Sequence, residues 1–345
     1  MTRRTLLSAA VALLMVVAGS RPARSAMLIN GAGSTFGYPI YSRWFSAYAK
    51  EHPNIRFNYQ SIGSGGGIRM LMDKTVEIGA SDAPLSNDQM KKAPGPVLHF
   101  PTVLGAVSIT YNLPGFNKKL RVTGPLIADI FMGKVTKWND PAIEKLNPGA
   151  KLPDQPIAVV HRSDGSGDTY IFADYLTKVS PEWAKKVGRG VSLSWPTGIG
   201  GKGNEGVTAL VRQTPYAIGY VTLIYALETH MPVADVQNHD GDWIKPSLKT
   251  VTAAAAGAAA NMPADFRVSI TNAPGKDSYP ISSFTWMIVY VKQQNRPKGA
   301  ALTQFLHWML HEGQKYAAPM NYAPLPGAVV TKEEAQINKI ELPGK

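Results

Sequence analysis

Residues 162–169 read RSDGSGDT, between a short apolar run, IAVV at 157–160, and a helical pattern that begins at Tyr170. This order predicts a strand, a tight turn and the first turn of a helix. The start of a helix presents unpaired backbone N–H groups and a partial positive charge, and it therefore attracts anions. The stretch predicts an anion site on an α/β fold.

Five residues of this turn bear on what it could bind. Gly165 and Gly167 let the backbone approach a ligand closely. Ser166 adds a hydroxyl group, and Arg162 adds a forked cation that suits an oxyanion. Asp168 is unexpected, because it is a carboxylate inside a site that favours anions.

Three other small-residue turns follow predicted strands, GAGSTF at 31–36, SIGSGGG at 61–67 and ASDAPL at 80–85. Each turn alone is weak evidence, since glycine and serine often do no more than end an element. Together the four turns offer several helix starts, hydroxyl groups, one arginine and the acids Asp82 and Asp168. This combination fits an oxyanion held by neutral donors in a dry cleft.

Short strands alternate with helical patterns along the chain, which is typical of an α/β protein with parallel sheets. Two apolar strands, at 103–109 and 284–291, stand on either side of about half of the chain. We predict two domains, residues 26–105 with 282–345 and residues 106–281. Each would be a mainly parallel sheet flanked by helices, and the two apolar strands would form the hinge. Ligands of such sheets bind outside the carboxyl ends of the strands, so the cleft between the domains is the expected site.

The first 25 residues have the pattern of a cleaved signal peptide. Arg3 and Arg4 precede an apolar run at 6–18, and Ala-Arg-Ser at 23–25 fits a small-x-small cleavage site. The apolar run is too short to span a bilayer. The two arginines leave twin-arginine export open beside the general pathway.

The chain contains no cysteine, which excludes disulfides and a lipid-modified N-terminal cysteine. The predicted location is therefore the periplasm without a lipid anchor, with secretion into the medium as the alternative. The formal charge is +12. Export and the scattered lysines argue against nucleic acid as a partner, and a basic surface can steer anions.

Enzyme motifs are missing from the sequence. Neither GSG segment, at 63–65 or 165–167, is the Gly-x-Ser-x-Gly nucleophile elbow, and GIGGKGNEG at 198–206 lacks the end of a phosphate-binding loop. The seven histidines show no metal-ligand spacing. We therefore expect neither catalysis nor a metal or other cofactor.

Seven motifs resemble those of one known family and occur in the same order. They are GAGSTF at 31–36, YQSIGSGGG at 59–67, IGASDAPLS at 78–86, FPTVLGAV at 100–107, VTKWNDPAIEKLNPG at 135–149, HRSDGSGDTY at 161–170 and GKGNEGV at 201–207. Through them the chain resembles the periplasmic phosphate-binding proteins (PstS) of ABC-type phosphate uptake systems. The resemblance spans almost the whole chain after residue 25.

The resemblance implies a two-domain, type II-like binding protein and a set of residues that contact phosphate. The set comprises Ser34, Thr35, Phe36, Ser64, Asp82, Arg162, Ser166, Gly167 and Asp168, with Asp164 orienting Arg162. Asp82 would discriminate between anions, because a carboxylate only accepts hydrogen bonds and needs a proton on the ligand. Phosphate carries such a proton at neutral pH and sulfate does not.

Asp168 departs from many members of the family, which have threonine at this position. Two interpretations are open: Asp168 accepts a second proton from the ligand, or it turns outward as an ordinary first-turn acid. We expect the first.

The expected function is therefore a monomeric, hinged phosphate receptor that delivers its ligand to a membrane permease driven by an ATPase. A receptor for another oxyanion, a periplasmic phosphatase or hydrolase, and a sensory or adhesive role are the alternatives.

Overall fold

The computed structural model describes residues 26–344, without the side chains of residues 258–260. The predicted signal peptide at 1–25 lies outside the described residues. No helix in the described part of the chain is long and apolar enough to cross a membrane.

Strands and helices alternate over most of the described chain. The strands of residues 26–344 are β1 Met27–Gly33, β2 Ile55–Ser61, β3 Ile78–Ser81, β4 Val97–Tyr111, β5 Arg121–Val122, β6 Ala158–Arg162, β7 Ile199–Gly201, β8 Ala217–Thr222, β9 Asp235–Gln237, β10 Trp243–Ile244 and β11 Ser282–Tyr290. The helices over the same range are α1 Tyr38–Glu51, α2 Ser64–Met72, α3 Asn87–Lys92, α4 Gly124–Phe131, α5 Pro141–Leu146, α6 Gly167–Val179, α7 Pro181–Lys186, α8 Gly203–Gln213, α9 Leu223–Glu228, α10 Leu248–Ala260, α11 Arg296–Leu310 and α12 Gly327–Ile337, with 3₁₀ turns at Gly313–Tyr316 and Ala318–Met320.

The main sheet has the strand order β2-β1-β3-β11-β4-β8-β6-β7, and a small sheet has the order β10-β9-β5. At one end of the main sheet β1 is parallel to β2 and β3, and at the other β6 is parallel to β7 and β8. Antiparallel pairs of β11 and β4 join the two ends. The predicted α/β class with mainly parallel sheets is confirmed.

The long strand β4 connects two parts of the sheet. Residues 97–106 of β4 pair with β11, and residues 107–111 pair with β8. We call β1, β2, β3 and β11 the first half-sheet, and β6, β7 and β8 the second half-sheet. The predicted domain boundary at 105/106 lies next to this change of partner; the boundaries themselves stay a prediction.

Each half-sheet has its own large buried side chains. Tyr41, Trp44 and Tyr48 of α1 are fully buried on the first half-sheet. On the second, the ring of Phe172 stacks on Tyr220 with a centroid separation of 4.3 Å. Aromatic burial on this scale contributes strongly to stability and holds the strand ends in place.

The glycine run at 63–67 differs from its predicted form. Its glycines predict a turn, because glycine disfavours helices, but α2 already begins at Ser64. The helix forms because it packs tightly on β1: a Cβ atom on Gly67 would lie 2.5 Å from Gly33 Cα. Tertiary packing here requires residues without side chains.

Candidate functional site

The candidate site lies where strands of the two half-sheets end and helices begin. Ser34, Thr35 and Phe36 follow β1, and Asp82 follows β3 directly. In the second half-sheet, Arg162 ends β6. Further residues lie at the starts of α2 and α6, namely Ser64, Ser166, Gly167 and Asp168. The structure brings all nine residues of the predicted set to this one region.

Asp82 is the hydrogen-bond acceptor at the centre of the site. Its carboxylate is 1% exposed. Oδ1 accepts the hydroxyl groups of Ser34 at 2.5 Å and Thr285 at 2.6 Å, and Oδ2 accepts that of Ser64 at 3.2 Å. A carboxylate has about four lone-pair positions, so one position on Oδ2 is left for a ligand.

Two opposing effects set the proton affinity of Asp82. Burial, first, and the neighbouring charge of Asp168, second, raise the pKa of Asp82 to about 7, although the hydroxyl groups of Ser34, Thr285 and Ser64 act to lower it. Asp82 is therefore poised between its ionised and protonated forms near neutral pH.

Arg162 is held between two acids. Its Nε and Nη2 atoms donate to Asp164 at 2.8 and 2.6 Å, and Nη1 donates to Asp168 at 2.7 Å. Burial acts to lower the pKa of Arg162, yet the hydrogen bond to Asp164 and the charges of Asp168 and Asp164 raise it above its ordinary value. A guanidinium has five N–H donors, so two remain for a ligand.

Asp164 orients this cation, as the resemblance implies. Burial opposes its ionisation, but the hydrogen bond and charge of Arg162 lower the pKa of Asp164 below its ordinary range. The backbone N–H of Gly203, at the start of α8, also donates to Asp164 Oδ1 at 3.0 Å. The pair is therefore fixed to a helix start as well as to β6.

Asp168 does not face solvent, so the outward-turned interpretation is wrong. The residue is 1% exposed. Besides Arg162, its carboxylate accepts the side chains of Asn204 at 2.9 Å and Thr222 at 2.6 Å. An ionised buried acid requires such partners. Whether Asp168 also accepts a proton from a ligand stays a prediction.

Asn204 connects the two half-sheets across the site. Its Nδ2 group donates to Thr35 Oγ1 at 2.9 Å and to Asp168 at 2.9 Å, while its Oδ1 accepts the N–H of Thr222 at 2.8 Å. Because Thr35 Oγ1 accepts this bond, its own proton is free to be donated. Tyr225 adds a second connection by donating to the Thr35 carbonyl oxygen at 2.7 Å.

Glycines let the helix starts of α2 and α6 touch. The N–H of Gly65 donates to Gly165 O at 2.8 Å. A Cβ atom on Gly167 would lie 2.5 Å from Asp82 Cβ and 2.5 Å from Ser64 Oγ. The absence of side chains at Gly165 and Gly167 thus serves the approach of the two half-sheets to each other.

Backbone donors complete the site. The N–H groups of Thr35 and Phe36 have no acceptor among residues 26–344, and the first N–H groups of α6 have none within the helix. Ser166 Oγ accepts the N–H of Thr169 at 3.1 Å, which caps α6 and leaves its own proton to be donated. Among the described residues, no group of three or more His, Asp or Glu side chains could hold a metal ion.

The predicted set omits several residues that contact it, among them Asn204, Thr222, Tyr225 and Thr285. Asn204 lies in the GKGNEGV motif at 201–207, where a helix start after a glycine is a usable signal. Thr285 lies in the apolar strand predicted as a hinge. Thr222 and Tyr225 stand at an ordinary strand-to-helix junction that carries no comparable signal.

Comparison with known proteins agrees with this geometry. A family model described as a PBP superfamily domain matches residues 16–312. The chain is 45% identical over 308 residues to the phosphate-binding protein PstS of Xylella fastidiosa, covering 89% of this chain and 84% of that protein. It is 44% identical over 312 residues to the protein of the same name from Pasteurella multocida, with 90% of each chain covered.

Solved structures share the fold at lower identity. A phosphate-binding protein from Stenotrophomonas maltophilia has a TM-score of 0.69 at 19% identity, covering 90% of this chain and 94% of that one. An ABC-type phosphate transport receptor from Vibrio cholerae has a TM-score of 0.57 at 19% identity, covering 86% and 100%. With sequence identity above 40% to named relatives over most of its length, the chain belongs to the PstS phosphate-binding proteins of the PBP superfamily.

Proposed function

We propose that this chain binds inorganic phosphate between the two half-sheets and delivers it to an ABC-type importer. The observation that carries the proposal is that a buried acceptor, Asp82, and a buried cation, Arg162, both lie where strands end and helices that attract anions begin. Asp168 connects them, because it accepts a hydrogen bond from Arg162 and its charge acts on Asp82. Relatives at more than 40% identity are named phosphate-binding proteins.

The site suits a protonated oxyanion. The two remaining N–H groups of Arg162, the backbone N–H groups of Thr35 and Phe36 and the start of α6 supply donors for the ligand oxygens. The open position on Asp82 Oδ2 accepts a proton that the ligand carries. Phosphate has that proton near neutral pH, whereas sulfate would place an unpaired charge against Asp82 in a dry site.

Binding without catalysis is the role that this arrangement supports. The named relatives are binding proteins and not enzymes. His161, the histidine nearest in sequence to Arg162, stacks on Trp195 with a centroid separation of 4.6 Å. We therefore propose a receptor and not a phosphatase.

The finer proposals concern assembly and location. The protein would be a periplasmic monomer, cleaved after residue 25 and free of a lipid anchor, with the permease and ATPase subunits of an importer as partners. Its domains would be 26–105 with 282–345, and 106–281. Mass spectrometry of the periplasmic protein tests the cleavage site. Light scattering tests the monomer, and a fall in radius of gyration with phosphate tests the hinge.

Calorimetry with phosphate, arsenate and sulfate tests the ligand. Phosphate should bind with one site per chain, and sulfate should compete only weakly at about pH 8, where Asp82 is mostly ionised. Tight sulfate binding, or hydrolysis of a phosphomonoester, would contradict the proposal.

A further inference from the structure

Thr285 reaches Asp82 because β11 and β3 are antiparallel: Trp286 pairs with Ser81, so Thr285 is the next residue along, opposite Asp82. Along β11 and β4 the pairing runs Thr285 with Val103 and then Trp286 with Pro101, so Thr102 is skipped. This is a β-bulge, which inserts one residue and re-aims neighbouring side chains. On its other edge, β11 pairs Trp286 with Ser81, the residue before Asp82. Thr285 thus lies beside Asp82, and it contacts the carboxylate from β11.

The bulge creates a buried chain of hydroxyl groups behind Asp82. Thr285 Oγ1 donates to Asp82 Oδ1 at 2.6 Å and lies 3.0 Å from Tyr41 Oη. Tyr41 Oη lies 2.9 Å from Thr102 Oγ1, which in turn donates to Thr285 O at 3.1 Å. Thr285, Thr102 and Tyr41 are each 0% exposed, so these hydrogen bonds lie in the protein interior.

The hydrogen bonds among these hydroxyl groups depend on whether Asp82 carries a proton. When Asp82 is ionised, Thr285 donates its proton to the carboxylate and Thr102 donates to the carbonyl oxygen of Thr285. The hydroxyl group of Tyr41 then donates to either Thr102 Oγ1 or Thr285 Oγ1. When Asp82 takes up a proton on Oδ2, the oxygen with the open position, Oδ1 becomes a neutral carbonyl oxygen and the hydrogen bond from Thr285 is no longer charge-assisted. Thr285 is therefore the group through which the buried chain favours the ionised carboxylate.

We propose that Thr285 determines oxyanion selectivity: its hydroxyl holds Asp82 as an acceptor, and without it Asp82 keeps a proton, becomes a donor and admits sulfate. The inference rests on the proposed phosphate-receptor function and extends it to a residue behind the site. Ser34 and Ser64 also donate to Asp82, but both belong to turns that face the ligand. Thr285 has no such second role.

Other charged and titratable groups around Asp82 also influence its ionisation. Asp168 opposes the ionisation of Asp82. The tyrosines Tyr41, Tyr59 and Tyr322 interact electrostatically with Asp82 and stay neutral, because burial raises the pKa of each phenol. The hydroxyl donors are therefore the groups that favour the ionised form most directly, and loss of Thr285 shifts the balance toward the protonated form.

The experiment is competition of sulfate against phosphate, measured by calorimetry from about pH 5 to about pH 10, where sulfate stays fully ionised. In the unsubstituted protein, sulfate should become a competitor only as Asp82 takes up a proton on acidification. In Thr285→Val the midpoint of this onset should move upward by about one to two pH units, the size expected from one hydrogen bond to a charged group. Thr285→Ser should restore the original midpoint.

Two controls separate this effect from general damage. Ser283→Ala removes a hydroxyl from the same strand that bonds only to Phe284 O, and it should leave the midpoint in place. Thr285→Ala replaces Thr285→Val if the valine variant does not fold, as judged by thermal unfolding.

Each outcome decides a separate point. An upward shift in Thr285→Val or Thr285→Ala with rescue by serine supports the inference. The same sulfate midpoint in the variant and the unsubstituted protein overturns it. Failure of the unsubstituted protein to bind phosphate would instead overturn the proposed function.

Discussion

Replacing Gly167 with alanine tests whether binding requires the two half-sheets to meet. The added Cβ atom would lie 2.5 Å from Asp82 Cβ and 2.5 Å from Ser64 Oγ. Because carbon atoms in ordinary contact are at least 3.4 Å apart, the start of α6 would have to move away from Asp82 by about 1 Å. Overpacking of this kind typically costs about 1–3 kcal/mol.

That cost applies to the arrangement in which α6 meets Asp82, so it appears in the affinity for phosphate. A penalty of about 1–3 kcal/mol corresponds to a loss of about 5- to 150-fold in affinity. Calorimetry measures this loss directly. The rise in unfolding temperature that phosphate produces should shrink in parallel, while the unfolding temperature without phosphate should change little.

A second glycine provides the matched control. Gly257 lies in α10 with open space around the position of a Cβ atom, so Gly257→Ala should leave phosphate affinity unchanged. If Gly167→Ala binds phosphate as tightly as the unsubstituted protein, the contact of α6 with Asp82 does not form part of the bound state and the reasoning is refuted.

Three further predictions concern buried ionisable side chains. Arg162→Lys keeps the charge but cannot hold Asp164 through two parallel hydrogen bonds, so the free energy of unfolding in urea should fall by about 2 kcal/mol or more. Equal stability of the variant and the unsubstituted protein would contradict the role of the guanidinium group in holding Asp164. Asp168→Thr should alter how phosphate affinity varies from about pH 5 to about pH 8, and calorimetry that finds the same profile would exclude Asp168 as a second acceptor. Glu333 is fully buried with both carboxyl oxygens unpartnered among the described residues, and burial raises its pKa well above the ordinary value. The folded state therefore keeps a proton that the unfolded state releases, so the free energy of unfolding falls with rising pH above about 4.5, by up to about 1.4 kcal/mol per pH unit. Glu333→Gln should remove this pH dependence when unfolding by denaturant is measured at several pH values. The same pH dependence in the variant and the unsubstituted protein would contradict the prediction.

Local patterns in the sequence were enough to predict the strand, turn and helix around residues 162–169. In the structure β6 ends at Arg162 and α6 begins at Gly167. The hydrophobic run, the serine cap and the glycines are all local signals, and they agree with one another. The same kind of signal located Asp82 directly after β3.

Local patterns were not enough where pairing between distant strands decides the outcome. Thr285 contacts Asp82 because β11 pairs antiparallel with β3, with Trp286 opposite Ser81, and this register between strands about 200 residues apart cannot be read from either strand alone. Besides Arg162, the partners of Asp168 come from α8 and the end of β8, so its burial could not be predicted from the helix start on which it lies.

At the glycine run at 63–67 the local pattern is misleading, since local propensity predicts a turn where the structure has a helix. Propensity is a weak guide when packing requires the absence of side chains. Gly65 meets Gly165 and Gly67 meets Gly33. The run is therefore better read as a surface for close contact.

The central claim is that Asp82 and Arg162 together select a protonated oxyanion, and one titration tests it most directly. Purified protein is titrated with phosphate and, separately, with sulfate at about pH 8, where Asp82 is mostly ionised. The account predicts that phosphate binds at least about 10-fold more tightly than sulfate, because only about a tenth of Asp82 keeps the proton that admits sulfate one pH unit above its pKa. Equal affinity for the two anions, or no binding of phosphate, would contradict it.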